Sequence, residues 1–378
     1  MMTRQGWGAA VVVAIAIAAG AAMHFARQNS APAPSVSSEG TDWVAAVAGI
    51  AGDSFDRLAG PWDMEFPQDH GVHAEAHTEL WQMSVHLEDE AGDPVGVQFL
   101  LFRIGLAGPD TPAPASRWEA RDLYRGHVVL TGPTAAPAVA EERFGRGMDG
   151  LAGFDVDASE LRLDSWSIDF PGQAVRDQWH LSTGPGDIRI DLALTPEKDP
   201  LRVDGDATPF RGYLFSRLRA RGTVATPSGL RAVSGVAWFE HLWGDLPIPG
   251  GAPVASDRLQ LQLDDGSELS VVRSRRVDGS GVPAVDAFLI DTEGAVTAFG
   301  NDAAQMERTR LWQGAEAQWP VAWQLRLGQL QLDITPVRDA QEHAFAVGIW
   351  SGLVHAQGRR GDQPVSGLGT LQLTGYSQ

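Results

Sequence analysis

The sequence of 378 residues contains no cysteine, which excludes disulfide bonds, thiolate metal sites, iron–sulfur clusters, a cysteine nucleophile and a lipobox anchor. It contains one lysine, Lys198, and no G-x-x-x-x-G-K surrounds it, so a phosphate-binding P-loop is excluded. Basic residues are scarce, because 29 Lys and Arg stand against 48 Asp and Glu, giving a formal net charge of −19. A surface this acidic repels phosphate backbones, so nucleic acid is not expected as a partner.

Three common catalytic signatures are also missing. The chain has no G-x-S-x-G nucleophile elbow, no H-E-x-x-H zinc motif and no G-x-G-x-x-G opening a strand–helix unit. What is present is 43% hydrophobic and 20% charged residues, which is enough apolar material for a large packed core. The length suits two domains.

The N-terminus has the pattern of an export signal or a membrane anchor. A short charged start precedes the apolar run Trp7–Met23, and Ala19-Gly20-Ala21 has the small residues of a cleavage site. We therefore interpret residues 1–27 as a signal peptide or anchor helix and residues 28–58 as a linker ending in a short helix. Either interpretation predicts a body in the periplasm or cell envelope, with inner-membrane association through the N-terminus if the segment is retained.

Beyond residue 58 the hydrophobic pattern has the period of two that is typical of β-strands. Apolar residues alternate with polar ones at Trp81–Leu87, and Val95–Ile104 is a nearly continuous apolar run. The turn residues Asp264-Asp265-Gly266 and Gly328-Gln329 each lie between two such segments and predict hairpins. Without long amphipathic patterns, the fold class is all-β, with two antiparallel barrels or sandwiches predicted at residues 59–233 and 234–378.

A first polar segment follows Phe66. If this segment is extended, His73, Glu75, His77 and Glu79 point to one face, where imidazoles and carboxylates could hold a divalent metal. The alternative is a solvated strand edge. We favour the second interpretation and predict neither a bound metal nor another cofactor.

A second segment places ionisable groups among indoles. On a strand, Phe239, His241 and Trp243 share a face, and Glu240 alternates with them. Desolvation raises the pKa of a carboxyl group and lowers that of a histidine, which prepares an acid for catalysis. A buried polar joint between two domains explains the same residues equally well.

Both segments carry a resemblance to a known family. Phe66–His73 reads F-P-Q-D-H-G-V-H, Ser234–Gly244 reads S-G-V-A-W-F-E-H-L-W-G, and Leu261–Gly266 reads L-Q-L-D-D-G. In these motifs, and in their order from about residue 60 to the closing Gly369–Tyr376, the chain resembles the AttH-like proteins and carotenoid 1,2-hydratases. These are exported lipocalin-like proteins that are also called predicted secreted hydrolases.

The resemblance implies two lipocalin-like β units packed together around an apolar ligand. It implies ligand-binding roles for six residues: Asp69, His70, His73, Glu79, Trp81 and Trp238. For a hydratase, it implies Glu240 or Asp257 as the proton donor and His241 as the group that activates or orients water. It also implies Trp243 and Trp238 as walls that stabilise a cation.

The sequence departs from the family pattern where aromatic and acidic residues are expected. Glu240 replaces the usual aspartate, the stretch Ala255–Leu259 keeps only Asp257 of an aromatic G-W-D-W-F, and Ser351 stands where the family has an acid. The loss of these residues favours an envelope protein that binds a lipid or isoprenoid beside an ABC-type permease. The alternative is a hydro-lyase that adds water to a terminal isoprenoid double bond.

Overall fold

The computed structural model describes residues 54–55, 58, 62–112, 116, 120–132, 137–147, 150–170, 174–203, 210–246, 254–300 and 303–376. The export segment predicted at 1–27 and most of the linker and helix predicted at 28–58 lie outside them. None of the helical structure among the described residues is long and apolar enough to cross a membrane. As predicted, the fold is almost entirely β, in two curled antiparallel sheets.

The first sheet contains the N-terminal strands. Its spatial order is β4-β3-β2-β1-β12-β11-β9-β8-β7-β6-β5, with β10 beside β11. The strands described in this sheet are β1 Thr78–Asp89, β2 Pro94–Gly105, β3 Asp122–Thr131, β4 Val139–Arg146, β5 Ala152–Asp155, β6 Glu160–Leu163, β7 Trp166–Asp169, β8 Trp179–Thr183, β9 Arg189–Pro196, β10 Leu201–Val203, β11 Phe210–Thr226 and β12 Gly229–Gly244.

The second sheet follows in order β16-β15-β14-β13-β22-β21-β19-β18-β17, with β20 beside β21. Its described strands are β13 Val254–Leu263, β14 Glu268–Arg276, β15 Ala284–Ile290, β16 Val296–Phe299, β17 Ala304–Gln313, β18 Gln318–Leu327, β19 Leu330–Pro336, β20 Glu342–His343, β21 Ile349–Arg360 and β22 Gln363–Thr374. Both predicted hairpins are present, as β13–β14 and β18–β19.

Each sheet curls around its own apolar interior. The first interior is rich in aromatic side chains, and the second contains Leu259, Leu261, Trp319, Trp323 and Trp350. The first sheet curls tightly enough for Leu163 to lie against Gly145, where an added Cβ atom would be 2.8 Å from the leucine side chain. A larger residue at that position would therefore require the Leu163 side chain to move.

The apolar residues Leu161, Leu163 and Ile168 lie on the hairpin β6–β7, because Asp164 adopts a φ of 55° and reverses the chain. One expectation about the domains needs correction. The predicted domain boundary after residue 233 falls inside β12, and the chain changes sheets between Gly244 and Val254. The stretch Gly222–Gly235 is polar because it contains the exposed tip of the β11–β12 hairpin.

The outer faces of the two sheets pack on each other through a layer of hydrogen-bonded polar side chains. Ser84 donates to Gln260 at 3.1 Å, Thr131 donates to Gln341 at 2.8 Å, and His86 lies 2.8 Å from Gln262 and 3.0 Å from Thr370. At one end of this layer the contact between the sheets is apolar. The apolar cluster there includes Phe102, Trp238, Leu242 and Phe288. Strand β12 is therefore buried on both faces from Ala237 to Gly244.

Because His86 is buried in this joint, we expect the folded protein to lose stability in acid. Burial lowers the pKa of His86 to about 4, outweighing the opposing hydrogen bond to Gln262. The folded protein thus keeps His86 neutral while the unfolded chain protonates near pH 6.5, so stability falls as the pH drops from 6.5 towards 4. From pH 7.5 to 5 this group is expected to cost about 2 kcal/mol of unfolding free energy.

Urea denaturation of the wild type and His86→Gln at both pH values checks this expectation. Glutamine keeps a hydrogen-bonding amide but does not titrate, so the variant should lose about 2 kcal/mol less than the wild type over that interval. Equal losses in both proteins would show that His86 is not the group responsible.

Candidate functional site

Strand pairing brings the two predicted polar segments together inside the first sheet. Strand β1 pairs with β12 so that Trp81 lies opposite His241 and Glu79 opposite Trp243. On the other side of β12, Tyr213 of β11 also lies opposite His241. Because side chains alternate between the faces of a strand, all five of these residues point into the interior of the first sheet.

The segment before β1 covers this end of the interior. It makes a 3-10 turn at Gln68–His70, and Asp69 accepts a 2.6 Å hydrogen bond from the backbone N–H of Glu65. A second turn follows, with the N–H of Ala76 donating to the carbonyl of His73 at 3.0 Å. These turns direct His70 and His73 towards Glu79 and Tyr213.

The centre of the cluster is a carboxylate between two imidazoles. Glu79 Oε1 lies 2.9 Å from His73 Nδ1 and 2.9 Å from His241 Nε2, and Glu79 Oε2 accepts a 3.3 Å bond from Arg103. The side chains of Glu79 and His241 are completely buried, whereas His73 keeps 13% exposure. We call His73, Glu79 and His241 the histidine–glutamate bridge.

Hydrogen bonds, charge and burial shift the pKa values of the three bridge residues in different directions. Burial acts to raise the pKa of Glu79, but hydrogen bonds from His241 and His73 lower it to about 2. Burial acts in the opposite direction on His73, where bonds to Asp69 and Glu79 outweigh it and raise the pKa to about 9. For His241 burial dominates and lowers the pKa.

A second hydrogen-bonded pair lies beside the bridge. Tyr213 Oη is 2.6 Å from His70 Nδ1, and burial raises the pKa of Tyr213 while it lowers that of His70. Both groups therefore stay neutral, and one hydrogen bond joins them. Trp81 donates to the carbonyl of His70 at 3.2 Å, which ties the covering segment to the sheet.

Aromatic rings fix the imidazole planes. The ring of His73 stacks on Trp243 with centroids 3.7 Å apart and an interplanar angle of 3°. His241 stacks on Trp81 at 4.5 Å, and His70 stacks on Phe170 at 4.2 Å. The imidazoles are thus held in one orientation before any ligand arrives.

Glu240 and Trp238 do not belong to this cluster. They lie on the opposite face of β12, in the joint between the sheets. Glu240 is paired with Arg258 and accepts hydrogen bonds from Trp238 at 2.7 Å and Gln260 at 2.8 Å. The interpretation of this segment as a polar joint therefore applies to Glu240, and His241 and Trp243 belong to the interior.

Asp257 occupies a third place, inside the second sheet. Its Oδ2 accepts bonds from Arg273 at 2.7 Å and from Tyr376 at 2.9 Å. Its Oδ1 is buried and has no hydrogen-bond partner among the residues that the structure describes, with Arg275 Nε at 3.6 Å. Burial raises the pKa of Asp257 and outweighs Arg275 and Arg273, which act to lower it.

The structure rearranges the first polar segment. Strand β1 begins at Thr78, so only Glu79 of the four residues predicted to share a strand face lies on the strand. His77 instead stacks against Phe55 with centroids 5.0 Å apart. The extended pattern fails because the turn at His73–Ala76 interrupts it.

Two members of the cluster were missed in the sequence. Arg103 carried a signal, since it is the one charged residue in the apolar run Val95–Ile104, and it is 2% exposed and paired with Glu79 and Asp122. A buried arginine needs a carboxylate partner. Tyr213 carried no local signal, because its role depends on the register between β11 and β12.

Comparison with known proteins now decides the family. The sequence model of the AttH-like family matches residues 57–376. The chain belongs to the AttH-like family. The crystal structure of an AttH from Nitrosomonas europaea matches this AttH-like chain with a TM-score of 0.70 and 26% identity, over 86% of this chain and 100% of that one.

Kievitone hydratase from Nectria haematococca shares the fold at 12% identity, with a TM-score of 0.58 over 86% of this chain and 98% of that one. A search of curated protein sequences found no match.

Proposed function

We propose that this AttH-like chain adds water to a carbon–carbon double bond of an apolar molecule, with Asp257 as the proton donor. The observation that carries the proposal is the state of Asp257. It is fully buried, its pKa is raised, and its Oδ1 has no hydrogen-bond partner in the part of the second sheet that the structure describes. A buried carboxyl group with a raised pKa is the kind of acid that alkene protonation needs.

Asp257 alone can give and then recover the proton that hydration of an alkene needs. Protonation of one alkene carbon by Asp257 leaves a tertiary carbocation on the other. Water then bonds to that carbon, and its surplus proton returns to the Asp257 carboxylate. The product is an alcohol and the acid is regenerated.

The interior of the second sheet supplies aromatic faces for the cation. The tryptophans that the family motif has beside this aspartate are missing, but Trp319, Trp323 and Trp350 are buried in the same interior. Indole faces attract cations by about 0.5–2 kcal/mol. The fold of kievitone hydratase shows that two such sheets carry a hydratase in another protein.

The experiment is incubation of the purified protein with an acyclic carotenoid in water labelled with heavy oxygen. A tertiary alcohol containing the heavy oxygen is expected. If no labelled alcohol forms with acyclic carotenoids or with shorter isoprenoid alkenes, hydration is not the function.

Binding without turnover is the second candidate, and the two arginines at Asp257 favour it. Arg273 and Arg275 lie 2.7 and 3.6 Å from the carboxylate, and positive charge beside the acid opposes both a neutral carboxyl and a nearby carbocation. In this function the chain holds a lipid or isoprenoid in the cell envelope, beside an ABC-type permease. A stoichiometric apolar molecule in a solvent extract of the wild type, together with no hydration, would support it.

A further inference from the structure

The histidine–glutamate bridge has more acceptor oxygens facing its imidazole nitrogens than neutral imidazoles have N–H donors. His241 is fully buried, and both of its ring nitrogens face oxygen atoms. Nδ1 lies 2.8 Å from the backbone carbonyl of Asp69, and Nε2 lies 2.9 Å from Glu79 Oε1. A carbonyl and a carboxylate only accept hydrogen bonds, whereas a neutral imidazole carries one N–H.

His73 repeats this arrangement on the other side of the carboxylate. Its Nδ1 lies 2.9 Å from the same Glu79 Oε1, and its Nε2 lies 3.3 Å from Asp69 Oδ1. Without a metal, a protonated His73 can donate from both nitrogens, whereas a neutral His241 leaves the lone pair of one ring nitrogen facing an acceptor oxygen. Protonating every nitrogen would instead place two imidazolium rings with centroids 5.4 Å apart around one carboxylate that Arg103 already contacts.

We propose that His73 Nδ1, His241 Nε2 and Glu79 Oε1 bind one divalent first-row transition metal, with Zn²⁺ as the best-suited ion. These three atoms lie within 4.8 Å of one another. One cation between them would use the lone pairs of two neutral imidazoles and one carboxylate oxygen as ligands, and it would remove the unmatched contact at His241. Two imidazoles and one carboxylate are an established donor set for zinc, with the fourth position open to water.

The surroundings have the features of a metal site. Histidines that bind metals usually donate their second N–H to a carboxylate or a backbone carbonyl, and here Asp69 supplies both. Stacking on Trp243 and Trp81 holds the two rings in place. Tetrahedral bonds of about 2.0–2.1 Å separate donor atoms by about 3.4 Å, so on binding the Glu79 carboxylate, now 2.9 Å from each nitrogen, has to withdraw, and the two nitrogens, which lie within 4.8 Å, have to reach that separation.

This site is distinct from the one predicted for the extended segment His73–Glu79. Glu75 and His77 are not ligands, and His241 enters from a strand more than 160 residues away in the chain. The inference does not rest on hydration at Asp257, because the two sites lie in different sheets.

The test is zinc binding by the full-length protein after treatment with a chelator, without any substrate. We expect one tightly bound Zn²⁺ per chain by calorimetry and elemental analysis, and an X-ray absorption spectrum with two imidazole nitrogens. His73→Gln and His241→Gln should each weaken binding by more than the roughly 10–100-fold that is typical of losing a neighbour of a ligand.

His180→Gln is the matched control, since His180 is a surface histidine lying 3.5 Å from Asp169 and 3.9 Å from Asp191. It should leave zinc affinity unchanged. If the buried His241 variant does not fold, the partly exposed His73 variant and the absorption spectrum of the wild type decide. No stoichiometric zinc, a spectrum without imidazole, or equal affinity in the wild type and His73→Gln would overturn the proposal.

Discussion

Replacing Glu268 by glutamine is expected to lower the free energy of unfolding by about 3–5 kcal/mol, the cost of removing one partner from a buried ion pair. Glu268 is completely buried on β14 of the second sheet. It accepts hydrogen bonds from Lys198 at 2.7 Å and from Ser216 at 3.1 Å, and it pairs with Arg217. Ser216 and Arg217 lie on β11 of the first sheet and Lys198 lies in the connection between β9 and β10, so the variant leaves two cations in the joint without a compensating charge.

Labelling of Lys198 reports directly on the loss of the Glu268 ion pair. It is the one lysine of the chain, its side chain is 11% exposed, and it also donates to the carbonyls of Gly266 and Asp291. Amine-reactive labelling followed by peptide mapping should find Lys198 protected in the wild type and labelled in Glu268→Gln. Urea denaturation gives the accompanying change in stability.

Asp199→Asn is the control for this prediction. Asp199 pairs with Arg176 at 2.8 Å, but the two side chains are 80% and 56% exposed. Exposed pairs contribute little to stability, so this variant should unfold like the wild type. Similar urea denaturation curves for Glu268→Gln and Asp199→Asn would show that the ion pairs of Glu268 do not hold the sheets together.

Replacing Asp257 by asparagine is expected to lower the hydration rate by about 10²–10³-fold, since asparagine keeps the shape of the side chain but has no proton to give. Glu240→Gln is the matched comparison, because resemblance suggested both residues as the acid. Glu240 is bonded to Arg258 in the joint and does not face either interior, so its variant should stay within a few-fold of the wild type.

A second variant separates catalysis by Asp257 from support of the fold. The Tyr376 hydroxyl group donates to Asp257 and acts to lower its pKa. Tyr376→Phe removes that bond, so the pKa of Asp257 rises and the carboxyl stays protonated to higher pH. The activity of Tyr376→Phe should therefore extend to higher pH than that of the wild type. An unchanged pH profile, or an equal loss of rate in Asp257→Asn and Glu240→Gln, would exclude Asp257 as the acid.

Local hydrophobic patterns predicted much of the fold because strand formation here depends on neighbouring residues. Alternation at Trp81–Leu87 and the turn at Asp264-Asp265-Gly266 each predicted the element that is observed. Alternation also separated Glu240 from His241, which do lie on opposite faces of β12. It did not show which face is the interior, because a strand that is buried on both sides has no solvent face to serve as a reference.

The sequence by itself therefore determined the all-β class, the family and the identity of the polar residues, all of which depend on short-range patterns and recognisable motifs. Only the tertiary structure decided how those residues are grouped. Strand register joined His73 and Glu79 to His241, the packing of the sheets placed Glu240 against Arg258, and the curl of the second sheet buried Asp257. Each grouping depends on contacts between residues far apart in the chain, which the spacing of residues along the sequence does not specify.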